Sequence, residues 1–198
     1  MQSWGTRSRF DDRDTEAEPS KSGVLGLLCA AAGIDRSDWK NLEPLTKMRM
    51  GVRLDRPGVH RSDFQTAQLH PTSEKTSTAI TKKHYLADAS FVAGLESEDR
   101  ESLIRLHQSL KEPYYPLCLG RRSYPPSEPC HIENGVVEAT LEDALADNTI
   151  APIRGDKTGD AGENKVAAVV ESVFGQGSLR QDVPISSSAE RRYGARYV

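Results

Sequence analysis

The chain has 198 residues, of which 28% are charged and 36% hydrophobic, enough for one substantial core or a main domain with a small appendage. Its most apolar stretch, residues 24–34, is divided by Gly26 and Gly33 and followed by Asp35. No run therefore approaches the roughly 20 apolar residues of a membrane-spanning helix. The formal net charge of −3 conceals an asymmetry: residues 1–126 carry a net +2, residues 127–198 a net −5, and residues 47–84 a local +5 together with His60, His70 and His84. A basic stretch in a mildly acidic chain points to a local polyanion contact, with a solvated loop as the plain alternative. The polar opening is unlike a secretory signal, and Cys29, Cys118 and Cys130 are odd in number and widely spaced with no CxxC pair. That usage fits a reducing cytoplasm and gives no support for a metal site or other cofactor.

In chain order, the polar block Gln2-Ser3-Trp4-Gly5 and an acidic segment lead into a first helix expected over residues 20–32. Ser20 is its N-cap, and Gly33 stands where a left-handed C-cap is wanted. Its first-turn N–H groups, beside Lys21 and the Ser22 hydroxyl, make an anion site or an ordinary capped start; both readings are open at this point. A short second helix is expected around residues 37–45, capped by Ser37. Residues 48–54 alternate apolar and polar like a half-buried strand, with Arg49 and Arg53 sharing an outward face.

From Asp55 to Lys83 periodicity disappears, and a long functional loop is expected. Residues 85–95 read as a central strand. Ser97 caps an amphipathic helix with Leu103, Leu106 and Leu110 on one stripe, ended by Pro113, and residues 115–119 read as the next strand. A short helix is expected near residues 141–146, then strands over 165–173 and 182–186 and a last one from Arg191 to Val198. The order is βαββαβ with its first strand absent, an α+β, ferredoxin-like pattern.

Two motifs carry chemistry. Gly120-Arg121-Arg122-Ser123 follows an apolar segment, and adjacent arginines fork onto phosphates or stack on bases, or simply form surface ion pairs. Thr81-Lys82-Lys83-His84-Tyr85 combines phosphate-contacting lysines with stacking rings. The same His84, with Lys83 and Tyr85, has the residue types for metal-independent RNA cleavage by activation of a ribose 2′-OH. The run Asp11-Asp12-Arg13-Asp14 has carboxylates for Mg²⁺, but Arg9 and Arg13 point to self-pairing. No GxxxxGK[ST], GxGxxG or HExxH motif is present.

Gln2-Ser3-Trp4-Gly5, Ser20-Lys21-Ser22-Gly23-Val24-Leu25-Gly26-Leu27-Leu28, His84-Tyr85-Leu86-Ala87-Asp88-Ala89-Ser90-Phe91 and Leu119-Gly120-Arg121-Arg122-Ser123, together with Asp182-Val183-Pro184-Ile185-Ser186 and Arg191-Arg192-Tyr193, resemble in order the CasD family, subunits of the type I-E CRISPR effector complex Cascade. The resemblance covers nearly the whole chain and is weakest over residues 127–164. It implies an RRM-type (RAMP) ferredoxin-like core over residues 1–126, with a thumb at about 57–83 lying over the guide RNA. A small C-terminal β portion over residues 127–198 would pack on that core. It further implies a non-catalytic cytoplasmic subunit that caps the 5′ handle of the crRNA. Its implied partners are the large subunit CasA, the backbone subunit CasC and the target DNA paired to the guide. With the basic pattern, it nominates Gln2, Trp4, Lys21, Ser22, Lys75, Lys82, Lys83, His84, Tyr85, Arg121 and Arg122 as RNA-binding residues. Related type I-C subunits are nucleases, which keeps a metal-independent repeat endoribonuclease as the alternative. Members of the family begin with an apolar strand ahead of the Gln-Ser-Trp-Gly block, so residues upstream of Met1 are expected in the physiological protein.

Overall fold

The computed structural model describes residues 1–7, 11–69, 77–153, 166–187, 190 and 192–198. The first helix, α1 (Lys21–Ala32), has the expected ends. The Ser20 side chain accepts from the Gly23 amide, and Gly33 closes the helix at φ 71°. Leu25 and Leu28 on its buried face pack with Leu42, Leu45, Met48 and Leu106 to form the core. The second helix, α2 (Trp39–Thr46), is capped by Asp38 and not Ser37. Asp38 accepts from the Asn41 amide, while the Ser37 hydroxyl is turned back onto the Asp35 carboxylate at 2.6 Å.

The two-residue strand β1 (Asp12–Arg13) precedes α1, and β2 (Arg49–Arg56) follows α2. The reading of β2 as a half-buried strand with outward arginines is corrected. It is the central strand of a three-stranded sheet, and Met50, Gly51, Val52 and Arg53 are all buried. Arg49 and Arg53 do share a face, but a helix covers it. Arg49 pairs with Glu96 at 3.2 Å and with Glu142. Arg53, 2% exposed, donates to the Leu145 carbonyl at 2.9 Å and pairs with Asp55 at 2.7 Å.

The predicted long loop is a ribbon. β3 (Val59–Leu69) and β4 (Ser77–Ala87) pair antiparallel over eleven residues each. Both faces of most of it meet solvent, so selection for a buried side, which creates period-2 alternation, is absent; the Thr, Val, Ile, Phe and Tyr content was the remaining strand signal. β1 joins the outer edge of β4 in parallel. The predicted strand over 85–95 is broken at Asp88 (φ 57°), after which β5 (Ser90–Glu96) turns into the other sheet to pair with β2. Gly58, at φ 73°, sits at this bend, where a Cβ would lie 2.5 Å from the Ala87 carbonyl oxygen.

The third helix, α3 (Arg100–Ser109), is capped by Asp99, whose carboxylate accepts from the Ser102 amide; the Ser97 hydroxyl accepts from the amide of Asp99 itself. The helix stops before Pro113. Residues 115–119 form no strand: the Tyr114 and Tyr115 amides cap the Ala31 and Ala30 carbonyls of α1, and the Leu119 carbonyl accepts from Ser3. The short helix α4 (Leu141–Ala146) falls where expected, capped by Thr140. It packs Leu141 and Leu145 onto Gly51 and Gly94, register partners whose missing side chains leave room for it. β6 (Ala167–Val170) pairs with β2 on the side away from β5, and β7 (Leu179–Pro184) and β8 (Tyr193–Tyr197) form a separate hairpin. The other edge of β5 meets no strand among the described residues. Beside it lies a cavity of about 1150 Å³ lined by Leu27, Phe91, Leu95, Leu103, Leu110 and Ile150, among others.

The β7–β8 hairpin is fastened to α1 by charge. Asp182 accepts the Lys21 amide at 2.7 Å and holds Arg196 through two bonds of 2.7 and 3.0 Å. Removing one partner of a buried pair leaves the other charge uncompensated. Asp182→Ala is therefore expected to lower unfolding stability by about 3–5 kcal/mol, read as a fall in the urea midpoint.

Candidate nucleic-acid interface

The N-terminal block folds inward. Gln2 exchanges two backbone hydrogen bonds with Leu86, of 3.0 and 2.8 Å, and its side chain donates to the Ala89 carbonyl and accepts from the Trp4 indole at 2.8 Å. Trp4, 4% exposed, lies against α1 where Gly23 has no side chain; a Cβ there would come 2.7 Å from the ring. Gln2 and Trp4 are thus mostly buried fasteners between β4 and α1, and both also line the cavity beside β5.

The start of α1 is likewise engaged within the fold. Lys21 is 1% exposed and pairs through Nζ with Glu171 at 2.9 Å, and the first-turn amide that a phosphate would use is taken by Asp182. Burial holds the Lys21 ammonium below its ordinary value, opposed by the Glu171 hydrogen bond and charge. Ser22 is half-buried beside Ser20. The Gly23 and Val24 amides are in turn taken by Ser20, through its hydroxyl and its carbonyl.

The ribbon distributes its side chains alternately. Lys83 and Tyr85 share a face with Asp63 and Arg61, their partners in register, and Tyr85 donates to Asp63 at 3.3 Å. Loss of hydration first, and then the Asp63 charge, push the Tyr85 phenol above its ordinary value. Lys83 reaches Gln65 on this face, and the Tyr85 ring lies 5.9 Å from that of Tyr124. On the opposite face Lys82 stands 5.9 Å over the Phe64 ring, which is 72% exposed. There His84 stacks 5.0 Å from His60 and pairs through Nε2 with Asp12 at 3.2 Å, while its Nδ1 is shielded. The three residues of the cleavage reading are therefore split across the two faces of one strand, and His84 turns neither ring nitrogen towards Lys83 and Tyr85.

The Gly120–Tyr124 turn packs against Ser3. Gly120 has φ 86°, and a Cβ there would fall 1.7 Å from the Ser3 carbonyl oxygen, so only glycine fits. The two arginines diverge. Arg121 turns inward, donating to the Arg13 carbonyl at 2.9 Å and lying 5.7 Å over Tyr124. Arg122 is exposed and meets no carboxylate among the described residues. Lys75 lies outside the described residues. The Asp14 carboxylate accepts the Thr6 and Arg7 amides, and no three potential ligands gather as a metal cluster among the described residues.

Among the described residues, the cations and rings that reach solvent around this junction include His60, Arg61, Phe64, Lys82, Lys83, Tyr85 and Arg122. Sequence reasoning nominates none of Arg61, Phe64, His60 and Tyr124 as a site residue, counting His60 only in the basic stretch. The first three become visible only once the β3–β4 register is known, whereas Tyr124 adjoins the Gly-Arg-Arg-Ser motif and carried a local signal.

Against this geometry stand the known proteins. The family described as CRISPR-associated protein (Cas_Cas5) matches residues 1–198, and the chain belongs to it. The CRISPR system Cascade subunit CasD of Escherichia coli (strain K12) is 31% identical over 150 residues, a match spanning 65% of this chain and 64% of that relative. A crystal structure of a Cas protein superposes with a TM-score of 0.75 at 40% identity, covering 99% of this chain and 86% of the other. A chain from a CRISPR RNA-guided surveillance complex gives 0.77 at 29% identity, covering 99% and 83%.

Asp63→Asn removes both the charge and the carboxylate acceptor beside Tyr85. The Tyr85 phenol is then expected to titrate closer to the ordinary value near 10, seen by ultraviolet titration with Tyr85→Phe as the assignment control.

Proposed function

We propose that this chain is a non-catalytic RNA-binding subunit of a type I-E CRISPR Cascade surveillance complex. In this reading it caps the 5′ handle of the crRNA and bridges the large subunit CasA and the backbone subunit CasC, with the target DNA paired to the guide nearby. The observation that carries the reading is the two-faced ribbon of a CRISPR-associated chain, with Lys82 and Phe64 on one side, Arg61, Lys83 and Tyr85 on the other, and Arg122 beside it. Lysine and arginine give sequence-independent phosphate contacts, and exposed rings accept unstacked bases. Likeness to a Cascade subunit and to a chain of an RNA-guided surveillance complex supports it.

The ribbon is then the thumb of a RAMP core over residues 1–126, with residues 127–198 as a C-terminal portion. The split of His84 from Lys83 and Tyr85 argues for binding without cleavage, in the cytoplasm where the guide RNA resides.

Lys82→Glu with Lys83→Glu is expected to reduce crRNA retention by the assembled complex about tenfold or more. The slope of log affinity against log salt should shrink by about 0.7 for each phosphate no longer neutralised. Unchanged retention and slope would overturn the assignment. Labelled repeat RNA incubated with the protein in EDTA should stay intact; cleavage abolished by His84→Ala would replace this function with the endoribonuclease.

A further inference from the structure

The two adjacent arginines of the Gly120–Tyr124 turn face opposite ways, and this gives them different work. The geometry points to Arg121 as a positioning residue that clasps the acidic β1 segment against β4, leaving Arg122 as the phosphate contact. The inference rests on the RNA-binding reading above.

β1 is a two-residue parallel strand, pairing Asp12 with Lys82 and Arg13 with Lys83. A ladder that short does not hold itself in water. Beside the ladder itself, the Lys82 amide donates to the Asp11 carbonyl at 2.7 Å. What fastens it is the Arg121 guanidinium, whose Nη2 lies 2.9 Å from the Arg13 carbonyl oxygen and 3.4 Å from that of Asp14. Nη1 reaches the Tyr124 hydroxyl at 3.3 Å, and the guanidinium lies over the Tyr124 ring. A planar fork that is always charged and stacks on a ring suits two successive carbonyls; an ammonium does not. Ser3 Oγ, 3.3 Å from the Asp14 carbonyl oxygen, and His84, paired with Asp12, assist from the other sides.

The consequence is electrostatic. β1 carries Asp11 and Asp12 along the strand that presents Lys82 and Lys83. Clasped, Asp12 is held on His84 and the Asp14 carboxylate on the Thr6 and Arg7 amides. Released, Asp12 leaves His84 and the strand that presents Lys82 and Lys83 loses its outer neighbour, so the lysine edge is no longer held for a polyanion and substitution of Arg121 weakens RNA binding although Arg121 itself touches no phosphate.

The test compares Arg121→Met, which keeps packing on Tyr124, with Arg121→Lys and Arg122→Ala. In the free protein, hydrogen exchange at the Lys82 amide should accelerate about tenfold or more in Arg121→Met, less in Arg121→Lys, and not in Arg122→Ala. In the assembled complex, both Arg121→Met and Arg122→Ala should retain less guide RNA. Only Arg122→Ala should flatten the salt dependence, by about 0.7 in slope. Unchanged Lys82 exchange in Arg121→Met, or an equal flattening in that variant, overturns the clasp. Accelerated exchange with full RNA retention in every variant overturns the RNA reading beneath it and leaves the contact purely structural.

Discussion

The carboxylate of Asp182 at the first turn of α1 is the constraint on which much of the molecule rests. It satisfies a helix N–H that would otherwise lack a partner, complements the helix dipole, and holds the buried Arg196 guanidinium. Through it the two-stranded β7–β8 hairpin, marginal by itself, becomes part of the body of the protein. Glu171 extends the arrangement, accepting Lys21 Nζ at 2.9 Å and the Met50 amide at 3.1 Å, so the same cluster reaches the central strand. A site with the residues of a phosphate cradle is in fact a closed internal ion network.

That network shows how cations are divided in this chain. Lys21, Arg49, Arg53 and Arg196 all meet carboxylates or carbonyls within the fold, and Arg121 meets carbonyls. The local excess of positive charge over residues 47–84 is therefore smaller on the surface than in the sequence. Of that stretch Lys47, Arg61, Lys82 and Lys83 reach solvent, the last three on the ribbon beside exposed rings and near Arg122. A localised basic and aromatic surface on an otherwise acidic chain favours one oriented polyanion over diffuse attraction.

How much could be read in advance follows the range of the interaction responsible. The bounds of α1 and α4 were legible because Ser20, Gly33 and Thr140 act within one turn of their own residues. The cap of α2 was misplaced by one residue because Ser37 and Asp38 compete, and only the Asp35 contact decides between them. β3 and β4 were read as a loop because neither face is buried along most of their length. The burial of Arg53 was hidden because its acceptor, the Leu145 carbonyl, lies 92 residues away. The strand expected over 115–119 had the right apolar content, yet its first amide is spent on the end of α1.

The motif blocks meet in space, and for a reason other than ligand contact. Ser3 lies between Leu119 and His84, donating its amide to the carbonyl of one and its hydroxyl to that of the other at 3.2 Å. Gly120 is pressed on the Ser3 carbonyl, and Gln2 bridges Leu86. The Gln-Ser-Trp-Gly, Lys-Lys-His-Tyr and Gly-Arg-Arg-Ser blocks are thus three segments of one backbone junction. Their spelling is dictated by close approach, positive φ and buried amides. Such a junction makes the family recognisable from sequence. Within these blocks Gln2, Trp4 and Arg121 face inward, while Lys82, Lys83 and Arg122 reach solvent.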